Sequence, residues 1–531
     1  MPKLFDPMKM RSLTVLAATL MLALPAVHAA DLQSAQTVTP AVAWIEAAAS
    51  AEVDQAFAQA RADKKPLLLY WGANWCPPCN QLKATLFNRQ DFIEQSRAFV
   101  AVHVDGDRPG AQRLGARFKV RGYPTLILFN PEGAEITRLP GEADAPQVLQ
   151  VLQLGLAGGR PIKAVLADAR GAQPLTPNEW RLLAFYSWET DEQQLVAASE
   201  RPALLAILAA ASSVAGDDAT TTRLWLKSLA TTSAIARGPA THGALHQRVQ
   251  TLLASAAESR MQMDVLSSGA ADIVRALHPL PSVARTALLA SFETALKRLE
   301  ADTSLSRADR LMALQARVDL ARLDLPKTTS KPKLRPALIA EVREHAARAD
   351  REIVNGYERQ AVITNAAHML SEAGLWADSD ALLKTSLARS HSPYYLMSQL
   401  GSNARKQGRT AEALRWYEEA FKTSEGPATR LQWGASYFTQ LVELAPADAA
   451  KIEQTAAQLF AEGARDPGAF YERSARSLQK VGNALLGWNA DDRQAAVLSR
   501  LKSQLNVICA KVERADKQRA TCEALIKKPA T

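Results

Sequence analysis

The chain has 531 residues, 47% hydrophobic and 22% charged, enough for about three domains and several buried cores. That length excludes a single small binding module, and a second half rich in Ala, Leu, Gln, Glu and Arg excludes an all-β or disordered chain. The net charge is +9, but the excess is spread along helical patterns as mixed-sign pairs such as Arg343, Glu344, Arg348 and Glu352. The basic-aromatic clusters of a nucleic-acid reader are missing.

At the N-terminus Lys9 and Arg11 precede the apolar run Leu13–Leu24, and Val27-His28-Ala29 offers small or tolerated residues for cleavage before Ala30. This pattern predicts a signal peptide over residues 1–29. A retained membrane anchor is the alternative, against which the shortness of the run and its end at Pro25 both count. Beyond it no stretch approaches the ~18 apolar residues of a membrane span. The mature chain is therefore expected in an oxidising space, without stable membrane insertion.

Val53, Phe57 and Ala60 then have helical spacing over Glu52–Asp63, ended by Lys64-Lys65-Pro66. Leu67-Leu68-Leu69-Tyr70-Trp71 is an apolar run of strand length that leads through Gly72-Ala73-Asn74 into Trp75-Cys76-Pro77-Pro78-Cys79. The cysteine pair opens a helix predicted to run through Leu82 and Leu86 toward Phe92. A strand over Ala98–Val104, a short helix over Ala111–Phe118, and strands at Leu126–Phe129 and Glu135–Leu139 around the turn Pro131-Glu132-Gly133 follow. A helix over Ala145–Leu156 completes an α/β unit of residues 43–157.

Gly158-Gly159-Arg160-Pro161 and the segment to 175 read as a linker. Thr176-Pro177-Asn178-Glu179 is a capping box with Pro at the first helical position. From there to about Cys522 only helical patterns occur, and the Pro- and Lys-rich stretch 325–336 divides them into domains over 176–324 and 337–525. The second repeats: Gly374 and Gly408 are 34 residues apart, as are Pro393 and Pro427. Leu400-Gly401, Gly408, Ala413, Tyr417 and Ala420 resemble a tetratricopeptide repeat, in which small residues let paired helices approach and aromatics fill the gap. An irregular helical bundle is the alternative. Trp416, Tyr417 and Trp433 are read as inter-helix core, with a concave peptide groove as the functional alternative.

A close cysteine pair at a helix start has a chemical rationale. The helix N-terminus directs N–H groups and positive potential at the first sulfur, so Cys76 becomes the nucleophile and Cys79, one turn on, closes the disulfide. A zinc half-site and an inert structural disulfide are the competing readings, but the sequence offers no second Cys pair or close His pair for zinc. No metal and no cofactor beyond the redox-active pair is expected.

Trp75-Cys76-Pro77-Pro78-Cys79 after an apolar strand, and Gly122-Tyr123-Pro124-Thr125 before a later one, resemble the thioredoxin family. Within it the likeness is to the periplasmic domain of the disulfide-interchange proteins. The resemblance implies a thioredoxin-like α/β domain in which Cys76 attacks and Cys79 resolves. It also implies a cis Pro124 that leaves the backbone of Tyr123 open to an extended substrate, with Trp75 at the rim of the site. One departure stands out. The position six before Cys76, a buried Asp in many thioredoxins, is Tyr70, and the position of its Lys partner falls at Ala101. The proton of Cys79 must therefore pass to water or another group, with His103, Asp105, Asn74 and Lys83 as candidates.

Cys509 and Cys522 are 13 residues apart, about 19 Å of rise on one helix, against the ~4.4 to 6.8 Å between Cα atoms that a disulfide permits. A bridge requires a turn, and Arg514-Ala515-Asp516-Lys517 is the polar stretch that can supply one. A structural staple closing the repeat array is the favoured reading; two reduced core cysteines and a relay to Cys76 are the alternatives.

These features lead to the expectation of a periplasmic thiol:disulfide oxidoreductase that reduces disulfides in partner proteins docked by the helical arm, recharged by an upstream thiol donor. A non-catalytic adaptor binding proteins through the repeats is the alternative. Because Pro77 and Pro78 lack N–H groups, the Cys76 thiolate is expected to be only modestly stabilised, which favours the reducing direction.

Overall fold

Every residue of β2 (Leu67–Gly72) is buried, as expected of a strand in the middle of a sheet covered on both faces. It is flanked in the sheet by β3 (Val100–Asp105), parallel to it, and β4 (Thr125–Phe129), antiparallel. β1 (Ile45–Ala47) adds in parallel outside β3, and β5 (Glu135–Pro140) in antiparallel outside β4, giving the order β1-β3-β2-β4-β5. The computed structural model describes residues 41–140, 144–191, 194–231 and 239–527; the expected signal peptide lies outside them.

Alternation along β2 sorts the core. Leu67, Leu69 and Trp71 pack with α1 (Ser50–Ala62) and α4 (Ala111–Arg117), whereas Leu68 and Tyr70 pack with α2 (Pro77–Thr85), α3 (Gln90–Gln95) and α5 (Ala145–Leu156). The result is a thioredoxin-like mixed sheet with flanking helices, followed by a long all-helical region.

Three local expectations need correction. The strand β1 was not anticipated: three residues are too few to show a period. The helix after the cysteines ends at Thr85 and restarts at Gln90. A straight helix would spread Leu86, Phe87 and Phe92 over more than half its circumference, and the break brings all three into one core. Within the expected linker, Ile162–Arg170 forms a helix whose Ile162, Val165, Leu166 and Ala169 are buried against the thioredoxin-like domain. Their i, i+3, i+4, i+7 spacing is that of an amphipathic helix. The Gly-Gly-Arg-Pro run is its lead-in, with Pro161 as N-cap.

Residues 325–335 lack helix and are pinned where the Trp376 indole N–H donates to the Ser330 carbonyl at 2.6 Å. The 34-residue register has a geometric counterpart. Gly374 and Gly408 both take left-handed φ, +79° and +74°, at the turns of the hairpins Gly356–Glu372/Trp376–Ser386 and Pro393–Lys406/Thr410–Thr423. Pro393 and Pro427 each open a helix. A Cβ on Gly401 would lie 3.0 Å from the Tyr417 ring, so the bare backbone sets how closely that hairpin packs.

The chain from Ala41 onward is one compact unit, because the helical arm curls back onto the thioredoxin-like domain. Gly426 is one point where the two backbones come close. Its φ of +82° and ψ of 140° suit only glycine, and a Cβ there would lie 2.9 Å from the Asp107 carbonyl oxygen. Gly426→Ala is expected to destabilise the chain by about 2 kcal/mol, from backbone strain of roughly 1–3 kcal/mol together with the forced separation. A lower urea midpoint at unchanged slope would show it.

Candidate active site

β2 delivers the chain at Gly72 into a turn held by Asn80, whose side-chain amide donates to the carbonyls of Asn74 (2.6 Å) and Cys76 (2.8 Å). Cys76 is the N-cap of α2, and Pro77 and Pro78 fill the first two helical positions. Since neither proline has an N–H, the first amide available to the Cys76 sulfur is that of Cys79, which donates at 3.2 Å. The two cysteines pair as a disulfide with Cα atoms 5.3 Å apart. Across from them the Tyr123–Pro124 peptide is cis, and the Tyr123 ring stacks on Trp71 while its hydroxyl accepts from Gln112.

Expectation and structure part at exposure. Cys76 is 2% exposed, Cys79 0% and Trp75 9%, and Pro124 is buried as well. Trp75 is not at an open rim, because the arm lies over it. Its indole N–H is shared between Asp107 Oδ2 and Thr429 Oγ1, both at 2.9 Å. Tyr395 stacks on its ring and Trp433 meets it edge-on, each at 6.0 Å between centroids. Gln360 donates to the Trp75 carbonyl at 2.9 Å, and His391 Nε2 lies 3.0 Å from the Asn74 carbonyl.

Arg473 closes the arrangement. Its guanidinium sits over both Trp75 and Tyr123, at 5.2 and 5.0 Å from the centroids, and pairs with Asp107. Burial alone would lower its proton affinity, but the Asp107 carboxylate, together with Tyr123 and Asp105, outweighs that and holds Arg473 above the ordinary arginine range. Asp107, Gln360, His391, Thr429 and Arg473 carry no local sequence signal, being joined to the cysteine turn only by the fold.

The register settles which strand groups face the cysteines. Tyr70 pairs with His103 and Gly72 with Asp105, so His103 and Asp105 share the α2 face with Tyr70 and Ala101. Tyr70 replaces a charged pair with aromatic packing against Trp44, Phe87 and His103. His103 is engaged by Glu46 at 2.7 Å, and Lys83 by the Asn74 side-chain oxygen at 3.0 Å. Burial pushes the Asp105 carboxyl up, as does the Asp107 charge, against the opposing pull of the Asp107 backbone N–H, His103 and Lys83. Cys509 and Cys522 pair on the helices Ala495–Ala510 and Lys517–Ala524, with Cα atoms 5.7 Å apart and the turn falling between the helices.

Residues 53–155 match a family described as thioredoxin-like domain. Similar proteins include thiol:disulfide interchange protein DsbD 2 of Pseudomonas aeruginosa, 31% identical over 121 residues, which are 22% of this chain and 21% of that one. The DsbD of Klebsiella pneumoniae is 31% identical over 140 residues, 24% of this chain and 23% of the relative. That of Yersinia pestis is 34% identical over 98 residues, 18% and 16%. The chain thus spans about a fifth of the length of the curated relatives it matches. The matches support a thiol oxidoreductase in general.

The Asp105 shift has a signed consequence. With its folded pKa raised above the ordinary aspartate value of 3.8, the folded state holds a proton that the unfolded state has released. Stability therefore falls as pH rises from about 3.8 through the folded value, and the penalty is complete above it. Asp105→Asn is expected to raise Tm relative to the parent at pH 7, with the difference disappearing as pH falls below about 3.8. Paired thermal melts across pH 3 to 8 test this.

Proposed function

We propose that the chain is a periplasmic thiol:disulfide oxidoreductase that reduces disulfides in partner proteins. The observation that carries this reading is the Cys76–Cys79 pair at the start of α2, inside the segment that matches the thioredoxin-like family. The Cys76 thiolate attacks one sulfur of a substrate disulfide. A mixed disulfide forms, and the departing substrate thiolate takes up a proton. Cys79 then loses its proton and attacks Cys76 Sγ, which restores the Cys76–Cys79 disulfide and frees the second substrate thiol. Two electrons pass to the substrate, and an upstream thiol donor must return two to the pair. We assign Asp105 as the group that takes the Cys79 proton, on its place on the α2 face and its raised carboxyl. Tyr123 and Pro124 would hold the substrate backbone, with Trp75 packing beside them. Cys509–Cys522 serves as a staple for the last two helices; the loop it closes, about 15 residues, corresponds to roughly 3 kcal/mol by chain entropy.

In-line attack requires access to a sulfur, and both sulfurs are buried. Turnover on a protein disulfide therefore requires the arm to shift away from Trp75. The same burial favours a second reading, an adaptor whose tetratricopeptide-like arm binds partners while the thioredoxin fold serves as a docking module. Insulin reduction with dithiothreitol separates the two. The wild type is expected to accelerate precipitation and Cys76→Ser to lose the acceleration; equal rates would remove the enzyme reading.

The amide count at Cys76 supports the reducing direction of electron flow. With one amide on the sulfur and two prolines behind it, the thiolate gains little from the helix start. The potential is then expected nearer the about −270 mV of thioredoxin than the about −120 mV of a strong oxidant. Equilibration with glutathione measures it, and a value above about −150 mV would reverse the assignment.

A further inference from the structure

Five arm side chains converge on Trp75, and they come from every second helix of the arm. Gln360 lies on Gly356–Glu372, Tyr395 on Pro393–Lys406, Thr429 and Trp433 on Pro427–Leu444, and Arg473 on Glu472–Trp488. Tyr395 and Thr429 are 34 residues apart, in the register of the repeat. The contacts thus form one face of the arm. It offers an aromatic corner between Tyr395 and Trp433, a hydroxyl, an amide and a guanidinium, and this chain's own cysteine turn fills it.

That face belongs to the arm and outlasts the contact. The four helices are held from behind by cores built within the helical region, with Leu370 and Leu396 in one cluster and Leu431 and Leu478 in another. The Tyr395 and Trp433 rings meet each other at 5.7 Å between centroids, and Gln432 Oε1 accepts from Arg473 at 2.9 Å. Corner and guanidinium therefore keep their places when the arm moves off Trp75. The carboxylate does not stay with them. Asp107 belongs to the thioredoxin-like domain, and the hydrogen-bond partners that Arg473 retains, Gln432 and Thr429, are neutral. An arginine beside two aromatic rings, without its counter-charge, is then open to a new carboxylate.

We infer that this face docks a partner polypeptide presenting a tryptophan beside a carboxylate, and that the chain's own cysteine turn is the occupant such a partner displaces. The chemistry asked of the partner is that of the present occupant: an indole N–H for Thr429, a ring for Tyr395 and Trp433, and a carboxylate for Arg473. The two occupants exclude each other, so the partner's binding energy holds the arm away from Cys76 and uncovers the sulfurs. The cysteine turn is tethered and present at high effective concentration, which makes the closed form the resting state. The consequence for exchange rests on the thiol:disulfide reading; the docking itself does not.

The test uses the full oxidised chain and the blocked heptapeptide Gly-Ser-Asp-Trp-Asp-Ser-Gly. Calorimetric titration is expected to show binding to the double variant Trp75→Ala, Asp107→Asn, whose turn no longer competes, and a Kd at least about tenfold higher for the wild type. Adding Arg473→Gln to the double variant, or replacing both Asp of the peptide by Asn, is expected to raise Kd about tenfold or more. In the wild type, saturating peptide is expected to speed reduction of Cys76–Cys79 by dithiothreitol at least about fivefold, followed by acid quench and alkylated-peptide mapping at Cys76, with no such effect from the Asn peptide. No binding to a double variant that keeps the wild-type circular dichroism, equal affinity for the Asn peptide, a Kd unmoved by Arg473→Gln, or an unchanged reduction rate at saturating peptide would each overturn the inference. If the double variant is unfolded, the wild-type rates decide alone. Neither measurement involves a protein disulfide, so failure here leaves the insulin result intact, and failure of insulin reduction leaves both measurements intact.

Discussion

The structure depends on one buried ion pair. Asp107 leaves the end of β3 and meets Arg473 from a helix 366 residues later, and around that pair the arm is registered on the thioredoxin-like domain. Asp107 also takes the Trp75 indole N–H, its backbone receives Gly426, and Arg473 lies over Trp75 and Tyr123. A buried pair of this kind adds little net stability compared with apolar residues of the same shape, but breaking it leaves an unpaired charge and is costly. Its effect is therefore to specify one docked arrangement over the alternatives.

That arrangement sets two opposing demands on the same surface. Exchange chemistry asks for an approachable sulfur, whereas the contacts to Trp75 and to the carbonyls of Asn74 and Trp75 place residues of the arm where a partner would approach. A covered pair is protected from adventitious thiols, and its chemistry becomes conditional on what loosens the cover. The hydrogen bonds that join Trp75 to Thr429 and to Gln360 are between uncharged groups, of the strength at which a partner can compete.

The thioredoxin-like core was legible because it is written locally. The β2 run, the cysteine turn and the α5 period each declare themselves within about a dozen residues. The helix break at Leu86–Arg89 was missed because it answers to where Phe87 and Phe92 must go, a tertiary demand. The helix at Ile162–Arg170 was hidden by a Gly-Gly-Arg-Pro lead-in that reads as a linker, although its spacing was visible. Within the site, Cys76, Cys79, Trp75 and Tyr123-Pro124 could be found from motif order. The covering residues could not, since Thr429, Gln360 and Arg473 are ordinary side chains on ordinary helices and become part of the site only when the arm returns. Strand pairing, not sequence, decided that His103 and Asp105 face α2.

The span of those contacts also orders events in time. Trp75 is linked to residues 285 and 354 positions away, and Arg113 to Asp516, 403 positions away. A chain that folds from its N-terminus can complete the sheet and the cysteine turn long before those partners exist, because closing such long loops comes last. The thiols are then formed and uncovered while the arm is still unfolded. In that interval they are open to the surrounding redox environment, and once the C-terminal helices dock, exchange at the pair waits on the arm moving off Trp75.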